Sequence, residues 1–114
     1  MTGKVVVAAS TTPRVTALAS KWGLNHDTVQ IGFKHIASQM ISEDVLIGGE
    51  ESGGIAIKGH IPERDGIWMG LVIFEYMAKT GKSIEKLIEE VYVLVGEFKY
   101  WRDDLHISNE LKKE

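Results

Sequence analysis

The predicted fold depends first on residues 45–58, which read Val-Leu-Ile-Gly-Gly-Glu-Glu-Ser-Gly-Gly-Ile-Ala-Ile-Lys. Two short apolar runs, at 45–47 and 55–58, flank the glycine-rich turn at 48–54, so they are expected to pair as an antiparallel hairpin. Nearer the N-terminus, residues 4–9 form a β-branched run typical of a strand that is covered on both faces. We therefore predict a sheet with a central strand near the N-terminus and a hairpin further along the chain.

Helix and strand patterns alternate around these strands. Thr12 and Pro13 favour the start of a short amphipathic helix that ends at Gly23. Residues 27–31 alternate polar and apolar side chains, which predicts a weaker strand near the edge of the sheet, and 33–41 predicts a second helix. The sum is an α/β fold, a three-layer α/β/α sandwich with a mixed, mainly parallel four-stranded sheet.

Two more helices follow the hairpin. Residues 65–79 are apolar on almost every side, as expected for a helix buried in a large core or packed against another domain. Residues 84–95 have a stripe at helical spacing that is expected to be buried. This stripe consists of Ile84, Leu87, Ile88, Val91, Leu94 and Val95.

With 114 residues, of which 44% are hydrophobic, the chain is about the size of one domain. We place this domain at 1–97 and expect a strand and linker at 98–114 that lead toward a further, C-terminal domain.

Composition limits the possible partners and compartments. A net charge of -3 argues against the basic surface needed to bind nucleic acid. The longest apolar stretch, at 67–77, is far shorter than the roughly 20 residues that cross a bilayer. The chain has no cysteine, so a thiolate site or a disulfide is excluded. Since no signal peptide is recognised either, we expect a cytoplasmic protein that binds neither membranes nor nucleic acids.

The turn after the predicted third strand contains the first candidate site. Its Glu50 carboxylate can accept hydrogen bonds from two sugar hydroxyls, and the Ser52 hydroxyl can both donate and accept. Ligands usually bind at strand ends of open α/β sheets. The residues alone leave open a second interpretation, a tight hairpin whose polar side chains are simply solvated.

A second cluster of charged residues precedes the third helix, in His60-Ile-Pro-Glu-Arg-Asp-Gly66. Arg64 or His60 could hold an anion near the helix N-terminus, or Asp65 could cap the helix while Arg64 pairs with a surface acid. Lys34 likewise begins a helix, either as a functional residue or as an exposed lysine. The four histidines lack metal-ligand spacing, so no metal site is predicted.

Three segments in the same order resemble the α-D-phosphohexomutase family, which includes phosphoglucomutase and phosphomannomutase. Gly49-Glu50-Glu51-Ser52-Gly53 matches the family's sugar-binding Gly-Glu-x-Ser-Gly loop, and Gly32-Phe33-Lys34 resembles its Gly-aromatic-Lys element. Residues 60–66 resemble the segment that follows the loop, and Tyr100-Trp101-Arg102 resembles the start of the crossing into the next domain. The resemblance covers nearly the whole chain and is to the third, sugar-binding domain only.

The resemblance implies how hexose phosphate or hexose 1,6-bisphosphate would be bound. Glu50 and Ser52 would hydrogen-bond the sugar 3- and 4-hydroxyls. Lys34 and Arg64 would act as supporting catalytic residues near the reacting hydroxyl or phosphate. The further substrate-binding positions are Gly49, Gly53 and His60.

The sequence contains neither a Thr-Ala-Ser-His-like phosphoserine loop nor an Asp-x-Asp-x-Asp magnesium loop. The resemblance therefore implies that magnesium and the phosphoserine belong to other parts of a full-length isomerase, together with the other three domains of the same polypeptide. This domain has no cofactor of its own and is expected to be inactive alone. The alternative is a stand-alone, non-catalytic module that binds a sugar phosphate or a protein. A Rossmann-like nucleotide binder is disfavoured because Ser10-Thr11-Thr12 stands where a glycine-rich turn would follow the first strand.

Overall fold

The computed structural model describes residues 2–99, 101, 103, 104 and 106. Strands and helices alternate along most of this part of the chain. The elements are β1 (Lys4–Ala8), α1 (Pro13–Lys21), β2 (His26–Val29), α2 (Phe33–Ser42), β3 (Val45–Gly49), β4 (Ile55–Ile57), α3 (Gly66–Thr80) and α4 (Ile84–Val95).

The four strands form one sheet in the order β2-β1-β3-β4. Strand β1 is parallel to both β2 and β3, whereas β4 is antiparallel to β3, with Ile47 opposite Ile57. The prediction of a mixed, mainly parallel sheet is therefore confirmed, with β1 inside it and β2 at an edge. The hairpin at 45–58 also forms as predicted.

Helices cover both faces of the sheet because alternate side chains of β1 point to opposite faces. Val6 and Ala8 are buried with Phe33 and Ile36 of α2, and Val5 and Val7 are buried with Ala19 of α1. The two small cores confirm the three-layer α/β/α arrangement.

Gly48 allows α2 to lie close to the sheet. A Cβ atom built on this residue would lie 2.2 Å from Cγ2 of Ile36, whose side chain is 0% exposed. Position 48 therefore requires glycine because α2 lies close above it, and not only because a turn follows.

Helix α3 begins and ends as its sequence predicts but is not buried. The Asp65 side chain accepts a hydrogen bond from the Trp68 amide at the N-terminus, and Gly81 ends the helix in a left-handed conformation. Ile67 is 82% exposed and Phe74 is 69% exposed, and the main contact of this helix in the described part of the chain is with β4. Burial of α3 in the domain's own core is therefore wrong, and packing against another domain stays a prediction.

Helix α4 packs on α1 and not directly on the sheet, so its apolar stripe is covered only in part. Leu87, Leu94 and Val95 are half-buried. The other three members of the stripe, Ile84, Ile88 and Val91, are exposed, which corrects the prediction of a fully buried face.

The segment after α4 reaches α1. The Arg14 guanidinium lies 5.0 Å from the centre of the Phe98 ring and donates a hydrogen bond to the carbonyl of Glu97 at 2.9 Å. Phe98 and Lys99 belong to no strand. Much of the predicted strand and linker falls on Tyr100, Arg102, Leu105 and residues 107–114, which lie outside the described residues.

Candidate functional site

The loops that follow β1, β2 and β3 meet at one edge of the sheet because these three strands are parallel. The Lys34 segment follows β2, and the loop from Gly49 to Gly54 follows β3. The topology therefore places two of the three predicted motifs at the same edge. The third motif, at 60–66, follows β4 and leads into α3.

Two backbone hydrogen bonds close the loop around Glu50. Its amide donates to the carbonyl of Gly54 at 3.0 Å, and the Gly53 amide donates to the carbonyl of Glu50 at 3.1 Å. The Glu50 side chain is only 9% exposed. The hairpin thus holds its predicted sugar-binding carboxylate largely out of solvent, unlike a solvated turn residue.

Arg64 is the charged partner of this carboxylate. Its Nη1 lies 3.4 Å from Oε2 of Glu50, and its guanidinium carbon lies 5.3 Å from the centre of the Phe33 ring. Arg64 therefore connects residues from all three predicted motifs, namely Phe33 beside Lys34, Glu50 in the loop, and its own segment.

The loop after β1 also touches the site, which the sequence analysis did not predict. The Ser10 hydroxyl donates a hydrogen bond to Oε2 of Glu51, and the Thr11 hydroxyl donates to the carbonyl of Gly49 at 3.5 Å. The Ser10 hydrogen bond is the main cause that lowers the pKa of the Glu51 carboxyl below its usual range. Ser10 and Thr11 directly follow β1, which is parallel to β3 and adjacent to it. This position in the sequence is the feature that could have identified them.

Ser52 and Lys34 project from this edge into solvent. Both residues are exposed, and Lys34 lies in the first turn of α2, directly after Phe33. In the described part of the chain, neither side chain has a hydrogen bond or an ion pair. Both polar groups are therefore available to a ligand.

His60 contacts the start of α3 and not the loop. Its Nε2 lies 2.9 Å from Oδ2 of Asp65, and its ring stacks on Trp68 with 4.6 Å between the ring centres. The Trp68 amide, and secondly His60, lower the pKa of the Asp65 carboxyl. The alternative in which Asp65 caps the helix is thus confirmed, whereas the binding of substrate by His60 stays a prediction.

Among the described residues, no group of three acidic, histidine or cysteine side chains could hold a metal ion. No helix in that part of the chain is long and apolar enough to cross a membrane.

Comparison with known proteins gives the same family as the three motifs. The family model for "Phosphoglucomutase/phosphomannomutase, alpha/beta/alpha domain III" matches residues 1–94. The chain therefore belongs to the phosphohexomutase family and corresponds to its domain III.

Named relatives include two phosphoglucosamine mutases. That of Rubrobacter xylanophilus is 35% identical over 92 residues, which cover 79% of this chain and 20% of the relative. That of Fusobacterium nucleatum is 34% identical over 61 residues, which cover 54% of this chain and 14% of the relative. The chain thus spans about a fifth or less of the length of these relatives.

A solved structure shares the fold. The crystal structure of a protein from Thermus thermophilus that is named as a phosphomannomutase matches with a TM-score of 0.79 and 38% sequence identity. The match covers 83% of this chain and 22% of that one. The mixed α/β architecture is therefore that of a mutase domain.

Proposed function

We propose that this chain is the sugar-recognition domain of a phosphohexomutase that interconverts hexose 1-phosphate and hexose 6-phosphate by intramolecular phosphoryl transfer. One observation carries the proposal. The three motifs converge around the Glu50 carboxylate, which is 9% exposed and lies 3.4 Å from Arg64 at the edge where parallel strands end. A shielded carboxylate at the same sheet edge as exposed hydroxyl and ammonium groups can bind a polyol that carries a phosphate.

The roles of the side chains follow from their surroundings. Glu50 accepts hydrogen bonds from sugar hydroxyls, and the exposed Ser52 hydroxyl adds a donor and an acceptor, while Gly49 and Gly53 let the backbone approach the ring. Lys34 is exposed and provides a positive charge for the reacting hydroxyl or phosphate. His60 contributes to substrate binding from the start of α3, where its ring stacks on Trp68.

Phosphoryl transfer itself requires groups that this chain does not contain. The proposed full-length enzyme supplies the phosphoserine and the magnesium ion from other domains, and this domain orients the hexose or its 1,6-bisphosphate. The isolated chain is therefore proposed to bind sugar phosphates weakly and to be catalytically inactive. A cytoplasmic location belongs to the same proposal.

The exposed apolar face of α3 supports the view that other domains of the same polypeptide pack here. Ile67, Leu71 and Phe74 are all more than half exposed, which is unusual for three large apolar residues on one helix. The same face would also serve the alternative function, a stand-alone module that binds another protein. The length of the open reading frame that encodes residues 1–114 distinguishes the two.

An NMR titration of the isolated chain tests the proposed function. Glucose 1-phosphate, mannose 1-phosphate and glucosamine 1-phosphate are added separately to about 50 mM, since a few exposed hydrogen bonds give an affinity of roughly millimolar or weaker. The amides of residues 49–54 and of Lys34 are expected to shift and saturate. Equal shifts from inorganic phosphate alone would contradict the recognition of the sugar.

Two variants locate the binding site. Glu50→Ala is expected to weaken the binding, so that the same saturable shifts require a higher ligand concentration. Glu89→Ala removes the same charge from the exposed Glu89–Lys86 pair on α4 and is expected to leave them unchanged. The proposal fails if both variants bind as the original chain does.

A further inference from the structure

Arg64 lies where the three segments of the site meet, and its contacts define a role that differs from binding phosphate. We propose that Arg64 is a positioning residue that acts on the sugar through Glu50, and that Gly54 provides the space in which Arg64 does so. The proposal rests on the proposed function of Glu50 as the sugar-binding carboxylate.

The Arg64 side chain passes directly over Gly54. A Cβ atom built on Gly54 would lie 2.4 Å from Cδ and 3.0 Å from Cγ of Arg64, and 3.3 Å from Oε2 of Glu50. No side chain fits at residue 54 unless Arg64 moves away. Because Arg64 is flexible and 52% exposed, this movement would affect the site more than the stability of the fold.

The guanidinium is held on three sides. Its Nη1 lies 3.4 Å from Oε2 of Glu50, its Nε lies 3.3 Å from Oε1 of Glu63, and its plane contacts the Phe33 ring. Two carboxylates offset its single positive charge, so it has little charge left to attract a free phosphate. The exposed Lys34 ammonium, in contrast, has no such partner in the described part of the chain. This difference assigns anion binding to Lys34 and positioning to Arg64.

Glu50 needs this partner because its carboxylate is mostly buried. An ionised carboxylate that is withdrawn from water is unfavourable unless a cation or hydrogen-bond donors compensate it. Without Arg64, the Glu50 side chain gains by rotating toward solvent, and the orientation of its oxygens toward the sugar is lost. Arg64 therefore fixes the orientation of the Glu50 carboxylate, which binds the sugar hydroxyls.

A double-mutant cycle on glucose 1-phosphate binding distinguishes positioning from direct contact. Arg64→Ala is expected to weaken binding about tenfold, the usual effect of losing one charge-assisted hydrogen bond. In a Glu50→Ala background, where the remaining affinity comes from other groups, adding Arg64→Ala should have no further effect. Arg64→Lys should restore part of the affinity, because it keeps the charge but loses the planar fork. Equal losses in both backgrounds would overturn the proposal, since Arg64 would then contact the ligand itself.

Gly54→Ala tests the role of the space beneath Arg64. It is expected to weaken binding to the same extent as Arg64→Ala. Gly70→Ala in α3 is the matched control, because a Cβ atom there meets nothing within 4 Å. A Gly54→Ala chain that binds as tightly as the Gly70→Ala chain would also overturn the proposal.

A measurement without ligand separates this inference from the proposed function. The ¹³C signal of the Glu50 carboxyl and the Nε–H signal of Arg64 are expected to move together in Gly54→Ala and to stay in place in Gly70→Ala. If these signals move but no sugar phosphate binds to any variant, the proposed function fails and the positioning contact stands. If Glu50→Ala weakens binding while Arg64→Ala and Gly54→Ala leave it intact, only the positioning role is refuted.

Discussion

Gly48→Ala is expected to destabilise the chain, because the added methyl group has no space beneath α2. The new Cβ would lie 2.2 Å from Cγ2 of Ile36, whereas carbon atoms in contact are about 3.5 Å apart or more. Ile36 is fully buried against its neighbours in β1 and α2, so it cannot move aside easily. Overpacking of this kind costs about 1–3 kcal/mol, and we expect a loss near the upper end, about 3 kcal/mol.

Urea unfolding followed by circular dichroism measures this loss, and a domain of this size should unfold in one cooperative step. The melting temperature should fall by about 12 °C, at about 4 °C per kcal/mol. Gly70→Ala in α3 is the matched control, because its Cβ meets nothing within 4 Å. It should raise stability by about 0.5–1 kcal/mol, since alanine favours a helix over glycine.

A second substitution tests whether the Ile36 side chain is the cause. Ile36→Ala removes Cγ2 and should cost about 2–4 kcal/mol by itself. Adding Gly48→Ala to that variant should cost only about 1 kcal/mol or less, so the two losses should differ from additivity by about 2 kcal/mol. The packing argument is refuted if the losses add, or if Gly48→Ala alone stays within about 0.5 kcal/mol of the original chain.

Three further outcomes are expected. In the folded state the pKa of Asp65 lies below its ordinary value of 3.8, so the unfolded chain binds the proton more readily. The stability of the chain should therefore fall as the pH drops below about 4. Asp65→Asn should reduce this pH dependence, as measured by urea unfolding between pH 6 and pH 2.5. Ser10→Ala should raise the pKa of Glu51 toward its ordinary value in a ¹³C NMR titration, because the main hydrogen bond to the carboxylate is lost, and an unchanged titration would refute that contact. Addition of magnesium or EDTA should change neither the stability of the isolated chain nor its sugar-phosphate affinity, and a magnesium-dependent affinity would contradict the assignment of the metal to other domains.

Much of the fold could be predicted from the sequence, because its strongest local signals agree with the final packing. The β-branched run at 4–9 predicted an inner strand, and the glycine-rich turn between 45–47 and 55–58 predicted the antiparallel pair. The burial of α3 and α4 could not be predicted in the same way. An apolar stripe shows that a face can be buried, but which surface covers it depends on parts of the protein outside the stripe.

Candidate residues for the site could be proposed from the sequence, but the contacts between them could not. The motifs identified Lys34, Glu50 and Arg64 as candidates because each has chemistry that suits a phosphorylated sugar. The contacts of Ser10 and Thr11 depend on the order of the strands, which brings the end of β1 beside the end of β3. A pattern that runs along the chain does not indicate which strands become neighbours.

Gly54 shows most clearly why the sequence pattern was insufficient. In a run of turn residues, a glycine is interpreted as backbone freedom, and that interpretation is adequate for Gly53, whose φ is +86°. At Gly54 the need for glycine comes from outside the turn, because the space where a side chain would lie is occupied by Arg64 from another loop. The residue that restricts position 54 is therefore ten places further along the chain. A relative with a larger residue at this position would have to hold the glutamate that corresponds to Glu50 by a different partner.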